Sequence, residues 1–408
     1  MATPYDVIVV GARCAGSPTA MLLARKGYRV LVVDRATFPS DTVSTHMIHA
    51  PGVAALQRWG ILDRVVASGC PPVDSYSFDF GPIVFAGSPR PVDGNALGYA
   101  PRRTVLDKIL VDAATEAGAE VREKFTVQEV VRDDDGRVTG IRGHDANGTT
   151  FTEDARVAVG ADSRFSMVAK AVEPEQYNER PPLQGGYYTY WSNLPTDSFA
   201  IFARPHEGFG LIPTNDGLTL LIVGVQHARF TDEFRHDVEG TYMKIVESVP
   251  EMGERIRAAT REERFTSSGE LPNFYRKPYG PGWALVGDAG YHKDPITAFG
   301  ITDAFHQVEL PVDALDQSFS GPRTFDDAMG DYQRQRDEAT MPMFDLTCQL
   351  AALEPPPPDM QQLLGAVATN EDATNDFASV MAGTLPPPEF FAPENIGRIM
   401  QAAGSTAR

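Results

Sequence analysis

A small-residue turn near the start of the chain has the residue types of a dinucleotide-binding site. An apolar run from Tyr5 to Val10 leads into Gly11-Ala-Arg-Cys-Ala-Gly16, and a second apolar run ends on Asp34. Such a turn lets backbone N–H groups at a helix N-terminus approach a pyrophosphate, and the later carboxylate can accept a ribose hydroxyl. Arg13 replaces the middle glycine of the usual pattern, so we expect its side chain to point away from the phosphates or around them. The residues assigned to this turn are Gly11, Ala12, Arg13, Cys14, Ala15 and Gly16.

Two later segments carry groups suited to the same ligand. Leu285-Val-Gly-Asp288 is an apolar strand that ends on a carboxylate, and Pro295 then precedes a helix that we expect to begin at Gly300. A carboxylate at a strand end suits a ribitol hydroxyl, and a helix N-terminus can stabilise negative charge on a reduced flavin. Val159-Gly-Ala-Asp162 is another apolar strand that ends on an acid. Together the three segments predict one flavin site.

The sequence between these segments predicts the elements that position them. Residues 73–87 alternate as a strand pair, and residues 102–118 have helical periodicity with Thr104 as the N-cap. Residues 120–160 form a three-stranded antiparallel meander that leads into the strand before Asp162. Residues 185–225 form a second sheet that interrupts the nucleotide fold. The tail beyond these elements is helical and then proline-rich.

The order of these elements resembles the p-hydroxybenzoate hydroxylase superfamily of FAD proteins. This superfamily contains aromatic monooxygenases, squalene-type epoxidases, flavin-dependent halogenases and geranylgeranyl-reductase-like enzymes. Its most specific motif here is Gly287-Asp288, followed by Pro295 and by Gly300-Ile-Thr-Asp303. The resemblance implies an α/β fold, in which a Rossmann-like FAD-binding domain has an inserted antiparallel β-sheet substrate domain and a helical C-terminal segment. The expected division is residues 1–75, 97–178 and 272–340 for the FAD-binding domain, 76–96 and 179–271 for the substrate-binding sheet domain, and 341–408 for the helical, proline-rich C-terminal segment.

The resemblance also implies roles for single residues. Asp288 would accept from the ribityl chain of FAD, and backbone N–H groups after Pro295 would lie against the O2 and N1 edge of the flavin. Asp162 matches an acid linked to FAD and to reduced nicotinamide, but Ser163 stands where the family has glycine, which weakens the nicotinamide inference. The FAD contacts implied in this way are Arg35, Arg103, Val127, Asp162, Asp288, Pro295, Gly300 and Ile301.

The inserted sheet is the expected substrate platform. Its strand Tyr187-Tyr-Thr-Tyr-Trp191 alternates, so that Tyr187, Thr189 and Trp191 share one face. By analogy with the family we expect this face to line the pocket, whereas the alternative is that these aromatics are sheet core. In place of the arginine-bearing segment of phenol hydroxylases the chain has Ser44-Thr45-His46. We therefore take His46 as the candidate catalytic residue, the alternative being a surface histidine.

Composition limits the partners. A formal net charge of −19 argues against nucleic acid and anionic membranes, because both need a basic surface. The three cysteines lack metal-type spacing, which predicts a reducing compartment and no metal site. No signal segment is recognised at the N-terminus, and the apolar stretch Leu218 to Val225 is too short to span a bilayer. We expect a cytoplasmic protein with a small-molecule substrate.

These observations predict an FAD-dependent monooxygenase that hydroxylates or epoxidises an apolar, aromatic or polycyclic small molecule. NADH or NADPH would donate electrons, either directly or through a separate flavin reductase. A flavin-dependent reductase of prenyl double bonds is the main alternative, and a non-catalytic flavin-binding protein is ranked below it. A halogenase is also ranked lower, because the sequence has no Trp-x-Trp-x-Ile-Pro segment and no lysine between Lys26 and Lys108.

Overall fold

The computed structural model describes residues 4–406, which form two large sheets and a set of C-terminal helices. The strands are β1 (Tyr5–Val10), β2 (Val30–Val33), β3 (Pro72–Val73), β4 (Tyr76–Asp79), β5 (Val84–Gly87), β6 (Gly98–Tyr99), β7 (Glu120–Arg122), β8 (Thr126–Arg132), β9 (Val138–His144), β10 (Thr150–Gly160), β11 (Gln176–Arg180), β12 (Gln184–Ser192), β13 (Phe199–Arg204), β14 (Glu207–Pro213), β15 (Thr219–Gln226), β16 (Thr260–Arg261), β17 (Thr266–Ser268), β18 (Asn273–Arg276), β19 (Tyr279–Gly280), β20 (Trp283–Leu285) and β21 (Tyr291–His292). The helices are α1 (Gly16–Arg25), α2 (Ala50–Arg58), α3 (Leu62–Ala67), α4 (Arg103–Glu116), α5 (Met167–Val172), α6 (His227–Phe234), α7 (Val238–Glu247), α8 (Pro250–Ala258), α9 (Gly300–Ser320), α10 (Phe325–Ala351), α11 (Pro358–Val367), α12 (Glu371–Met381), α13 (Pro387–Phe390) and α14 (Pro393–Thr406).

The first large sheet carries the dinucleotide-binding turn. Its order is β19-β20-β10-β1-β2-β7, and the strands from β20 to β7 run parallel. Val7 and Ile8 of β1 are both fully buried although their side chains point to opposite faces, as a parallel sheet covered on both sides requires. The carboxyl ends of parallel strands meet at one edge, where such folds bind their ligands. The residues at this edge are Gly11, Asp34, Asp162 and Asp288.

Strand β10 joins the surface meander to this sheet. Its first five residues pair antiparallel with β9, and residues 155–160 pair parallel with β1. The predicted three-stranded meander is confirmed, with β8 and β9 as its other members. The structure makes the meander's last strand and the parallel strand one continuous element, where the sequence suggested two.

The second large sheet is the insertion predicted from the sequence. Its order is β16-β12-β15-β14-β13-β4-β5, and β17 also pairs with β12. The strand pair over residues 76–87 joins this sheet because β4 pairs in parallel with β13. The fold class expected from the sequence is therefore confirmed. The domain boundaries stay a prediction.

The two faces of the inserted sheet are covered by different elements. On what we call the outer face, Trp191, Leu211 and Val223 pack against residues of α6, α7 and α8. On what we call the inner face, Tyr190 and Phe199 share a cluster with residues of α11 and α12. The C-terminal helices therefore cover the side of the sheet that faces the first domain.

The start of α4 corrects one prediction from the sequence. Helix α4 begins at Arg103, and Arg102 occupies the N-cap position without a side-chain cap hydrogen bond, so Thr104 is not the N-cap. Asp107 is fully buried and forms an ion pair with Arg103 one turn earlier. The carboxylate of Asp107 thus has a tertiary role. Separately, the helices within residues 4–406 include none whose length and apolar character would let it cross a bilayer.

Candidate functional site

Two close backbone approaches bring the three predicted segments together. Gly11 has a φ of +103°, and a Cβ there would lie 2.5 Å from the carbonyl oxygen of Ala161, next to Asp162. Gly287 has a φ of +56°, and its Cβ would lie 2.7 Å from that of Ala15. Only glycine combines this conformation with such short distances. The first turn is thereby in contact with both later strand ends, as a single site requires.

The N-terminal turn presents free donors to a ligand. Among the described residues, no acceptor bonds the backbone N–H groups of Arg13 and Cys14, which precede α1. Unpaired N–H groups at a helix N-terminus suit a pyrophosphate. The Asp34 carboxylate accepts from the N–H groups of Ala12 at 2.7 Å and Ala36 at 2.8 Å. It therefore fixes the turn, and its contact with a ribose stays a prediction.

The side chain of Arg13 lies on α4, away from the turn's N–H groups, as the sequence suggested. It forms an ion pair with Asp107, which also accepts from Arg103 at 2.9 Å and 3.1 Å. Burial raises the pKa of the neighbouring Cys14 thiol to about 12, so this cysteine stays protonated. Two guanidinium groups on one buried carboxylate leave one net positive charge beside the turn. Asp107 is the member of this cluster that sequence reasoning missed.

Asp288 faces a small cavity at the start of α9. Its carboxylate accepts no hydrogen bond from any residue within 4–406, which leaves it free for a ligand hydroxyl. Lys293, which is almost fully buried, lines the same cavity and pairs with Asp303 of α9. The amide nitrogen of Gln307 is buried there without a partner among the described residues. Neither Lys293 nor Gln307 lies in a pattern from which its place in the site could be predicted.

The segment from Asp294 to Gly300 borders open space. A Cβ on Gly300 would meet no atom within 4 Å, and α9 begins here with its first N–H groups unpaired by the helix. Asp294 caps the short 3₁₀ helix Pro295–Thr297, and burial raises its pKa to about 7. The Oδ2 atom of Asp294 is buried and has no hydrogen-bond partner within residues 4–406. Ile301 is buried in the first turn of α9, directly after Gly300.

The acid after β10 is engaged locally. Asp162 accepts from the hydroxyl of Ser166 at 2.5 Å and from the N–H of Met167 at 2.6 Å, at the start of α5. Burial raises its pKa. Ser163 has a φ of +77°, so it keeps the left-handed backbone typical of the glycine that it replaces. The contact of Asp162 with a cofactor stays a prediction. The contacts of the exposed Arg35 and of Val127 on β8 with FAD also stay predictions.

The prediction that the Trp191 face lines the pocket is wrong. The Trp191 indole donates to the Tyr242 hydroxyl at 3.3 Å and lies beneath α7, and Tyr187 packs against Phe234 of α6. The Thr189 hydroxyl donates to a backbone carbonyl at 2.7 Å. Alternation along a strand separates two faces but does not say which faces a ligand. Helices α6 to α8 close this face.

The opposite face meets the candidate catalytic residue. His46 is fully buried, not a surface residue, and its Nε2 lies 2.5 Å from the Tyr190 hydroxyl. Its Nδ1 is buried and has no partner among the described residues. Burial, helped by the Arg103 and Arg102 guanidinium groups, lowers the pKa of His46 to about 3, so the ring is neutral. The ring of Tyr188 lies edge-on to it at 6.4 Å.

A second buried histidine follows three residues later, and both of its ring nitrogens are hydrogen-bonded. His49 Nδ1 lies 2.8 Å from the Tyr76 hydroxyl, and Nε2 lies 3.0 Å from the Thr297 carbonyl oxygen. Its ring stacks on Phe299, the residue before Gly300, at 4.5 Å. Burial lowers its pKa to about 3 as well. His49 therefore ties the inserted sheet to the segment at the start of α9.

These groups fit FAD at both of its ends. The free N–H groups at Arg13 and Cys14 suit the pyrophosphate, and the unpaired Asp288 carboxylate suits the ribityl chain. The open backbone at Gly300 suits the electron-rich edge of the flavin ring. Within residues 4–406 no group of acidic, histidine or cysteine side chains is arranged to hold a metal ion.

Comparison with known proteins supports this interpretation. A family model described as an FAD binding domain matches residues 4–310. Rifampicin monooxygenase from Rhodococcus hoagii is 27% identical over 321 residues, which cover 74% of this chain and 62% of that protein. The match therefore spans less than two thirds of that relative. A digeranylgeranylglycerophospholipid reductase from Methanocella arvoryzae is 27% identical over 311 residues, which cover 74% of this chain and 75% of the relative.

The fold is also found among solved structures. The myxobacterial chondrochloren halogenase superposes with a TM-score of 0.78 at 20% identity, covering 98% of this chain and 97% of the other. At this identity the likeness speaks for the fold alone. The match over residues 4–310 covers most of the chain. The chain belongs to the FAD-binding domain family of the p-hydroxybenzoate hydroxylase type, a family of FAD-dependent flavoprotein oxidoreductases.

Proposed function

We propose that this protein is an FAD-dependent monooxygenase that inserts one oxygen atom from O₂ into an aromatic or polycyclic small molecule. When bound, reduced FAD supplies the electrons that activate O₂. NADH or NADPH is the proposed source of those electrons, directly or through a separate flavin reductase. The parts supplied by this chain are a site for the flavin edge, a dry aromatic wall and a neutral histidine between them.

The inner face of the inserted sheet is the observation that carries the proposal. Tyr188, Tyr190 and Phe199 on this face share one apolar cluster with Ala298, two residues before the start of α9. An aromatic substrate held against this wall would lie next to the segment that fits the flavin edge. The C-terminal helices cover the same cluster, so bulk water is kept from the reacting region.

The start of α9 contributes electrostatics. Its first backbone N–H groups and the N-terminal end of the helix dipole point at the open space beside Gly300, where they stabilise negative charge. His46 is neutral at working pH because its pKa is about 3. It can therefore donate or accept a hydrogen bond to an oxygen atom but does not place a positive charge in the site.

A reductase of prenyl double bonds is the second candidate. The digeranylgeranylglycerophospholipid reductase match covers 75% of that relative, against 62% for rifampicin monooxygenase. A reductase would transfer hydrogen to the substrate without consuming O₂. Halogenase activity has less support, because this chain has no lysine between Lys26 and Lys108.

Labelled dioxygen separates these activities. Purified protein is expected to be yellow, with one non-covalently bound FAD per chain. It would be reduced with NADPH, NADH or a flavin reductase and given ¹⁸O₂ with panels of phenols, polycyclic aromatics and prenylated quinones. A product heavier by one ¹⁸O atom, formed equally with and without chloride or bromide, is the expected result. A product that gains only two hydrogens would assign the protein to the reductases, and a halogenated product to the halogenases.

A further inference from the structure

We propose that Tyr190 holds His46 as the Nδ1–H tautomer, so that this N–H donates to an acceptor atom of the ligand bound between the inserted sheet and the flavin segment. The inference deepens the proposed function and rests on it for the identity of the substrate. It assigns a positioning role to Tyr190 and a ligand-binding role to Nδ1 of His46. The acceptor is either an oxygen of the aromatic substrate or an atom of the flavin itself.

The first step concerns the hydrogen bond to Tyr190. Its hydroxyl lies 2.5 Å from His46 Nε2, and no other partner for it is found among the residues in the described range. Burial raises the pKa of Tyr190, so the phenol keeps its proton and needs an acceptor. Nε2 is that acceptor only if the imidazole proton sits on Nδ1.

The alternative tautomer leaves more groups unpaired. With the proton on Nε2, the ring would donate to the Tyr190 oxygen, and the phenol proton would lose its acceptor. His46 Nδ1 would then be an unpaired acceptor as well, so that two buried polar groups, the Tyr190 O–H and Nδ1, would lack partners instead of one. Since each buried unpaired polar group is costly, the tautomer with one orphan is favoured. The remaining orphan is the Nδ1–H group.

The second step concerns the free Nδ1–H. This atom is buried and makes no hydrogen bond of normal geometry within residues 4–406, although the Ser44 backbone lies near the ring, whereas both nitrogens of the neighbouring His49 are bonded. His46 also has a φ of +64°, a conformation that is costly for a non-glycine residue, and the N–H of Met47 closes a tight turn onto the Thr45 carbonyl at 2.8 Å. A strained residue with an unpaired buried donor is better explained by a ligand than by packing.

The surroundings show what kind of acceptor fits. The ring of Tyr188 lies beside His46, and the guanidinium group of Arg102 stacks on Tyr190 at 4.2 Å. These aromatic walls suit a flat ligand, and the donor suits an oxygen on its edge. The predicted substrate class is therefore an aromatic compound that carries a hydroxyl or carbonyl oxygen, with an unsubstituted hydrocarbon bound less well.

Two substitutions at position 46 separate the two ring nitrogens. The amide nitrogen of His46→Asn can replace Nδ1–H, and asparagine tolerates a positive φ. The longer side chain of His46→Gln reaches toward Tyr190 and replaces Nε2. Tyr190→Phe removes the proposed clamp, and Tyr188→Phe is the matched control on the same face. All variants would be isolated as FAD holoproteins and checked for their melting temperature.

The tautomer is read directly by ¹⁵N NMR of histidine-labelled holoprotein. We expect His46 to show a protonated Nδ1 and an unprotonated Nε2 in the wild type and in Tyr188→Phe, and a mixture of tautomers in Tyr190→Phe. A folded wild type with its proton on Nε2 would overturn the proposal. This measurement does not involve oxygen transfer, so it tests the His46 tautomer independently of the monooxygenase function that the ¹⁸O₂ experiment tests.

The source of the acceptor is read with a matched pair of probes. If it is the substrate, 1-naphthol should bind more tightly than naphthalene, and His46→Gln should lose roughly tenfold in 1-naphthol affinity while His46→Asn keeps it. If it is the flavin, His46→Gln should shift the flavin midpoint potential without any probe, and His46→Asn should not. Two results together would overturn the proposal. These are an unchanged flavin midpoint potential in His46→Gln and no tighter binding of 1-naphthol than of naphthalene, which includes the case that neither probe binds.

Discussion

The two faces of the inserted sheet are built from the same strand yet differ in what they leave unpaired. On the outer face, the Trp191 N–H finds the Tyr242 hydroxyl, which in turn donates to the Leu221 carbonyl at 2.8 Å. On the inner face, the Tyr190 hydroxyl bonds His46, and the chain of bonds ends there on a buried Nδ1 that has no partner in the part of the chain that the structure describes. A closed hydrogen-bond chain stabilises a core, whereas an open one leaves a buried polar atom whose missing partner needs an explanation, for which we propose a ligand.

The difference shows that aromatic content alone does not locate a substrate site. Both faces are rich in tyrosine and phenylalanine, but the outer face is sealed by α6 to α8. The inner face is next to the segment at the start of α9 and shares its cluster with Ala298. Substitutions on the outer face should therefore change stability, and those on the inner face should change ligand binding.

The largest expected effect is on the outer face. Trp191→Ala would leave a cavity beneath α7 and should lower the free energy of unfolding by about 3–5 kcal/mol, measured by urea denaturation. Trp191→Phe, which keeps most of the packing, is the control and should lose less. The folded fraction of both variants should retain FAD and oxygen uptake. A stable Trp191→Ala protein that has lost substrate binding would reverse our assignment of the two faces.

The next effect concerns the small cavity at the start of α9. Asp288→Ala removes the unpaired carboxylate expected to bond the ribityl chain, and it should weaken FAD binding by about 1–3 kcal/mol. Fluorescence titration of the apoprotein with FAD measures this, and the melting temperature of the apoprotein should hardly move. Asp288→Asn keeps an acceptor and should lose less. Unchanged FAD affinity in folded Asp288→Ala would remove Asp288 from the site.

Acidity should affect the inner face through its buried histidines. His46 and His49 have pKa values near 3 in the folded state, against about 6.5 when unfolded. The unfolded chain therefore binds more protons between pH 3 and 6.5, and each histidine lowers stability by about 1.4 kcal/mol per pH unit as the pH falls through that window.

Asp294 should oppose this trend. Its folded pKa is about 7, above the unfolded value, so it favours the folded state as the pH falls from 7 toward 3.8. Asp294→Asn should therefore make the acid-side loss steeper by up to about 1.4 kcal/mol per pH unit, measured by urea denaturation between pH 5 and 6.5. Equal slopes in the variant and the wild type would show that Asp294 does not titrate in this range.

The smallest effect is expected for Tyr187. It contacts Phe230 and Phe234 through its ring on the outer face, and its hydroxyl bonds no residue in the described part of the chain. Tyr187→Phe should change the free energy of unfolding by less than about 0.5 kcal/mol and leave FAD and substrate binding intact. A clear loss of substrate affinity would bring Tyr187 back as a substrate contact.

The parts of the site that follow from local spacing were predictable. The turn at Gly11, the acid at Asp34 and the Gly287-Asp288 strand end are short patterns whose geometry is fixed within a few residues. The orientation of Trp191 was not, because helices α6 to α8, which follow β12 by more than thirty residues, decide which face is sealed. The burial of His46 depends on Tyr190, which is 144 positions away in sequence.

The same distinction explains the basic cluster on α4. Asp107 pairs with Arg103 four positions earlier, which a helical pattern can suggest, but also with Arg13, 94 positions away. Nothing in the sequence near Arg13 identifies that partner. Residues whose partners are distant in sequence, such as Asp107, could therefore not be assigned a role from the sequence. Residues that belong to a tight turn or to the end of a strand could be recognised as such from local spacing.

The position of β20 sets the order in which the site forms during synthesis. This strand, residues Trp283–Leu285, pairs with β10 near the middle of the sheet, and Gly287 just after it contacts the turn that follows β1. Because a chain emerges from its N-terminus, about 290 residues must leave the ribosome before the first twenty can complete their ligand site. FAD binding then stabilises only those chains in which Gly287 has reached the turn after β1, because the ligand site is incomplete without this long-range contact.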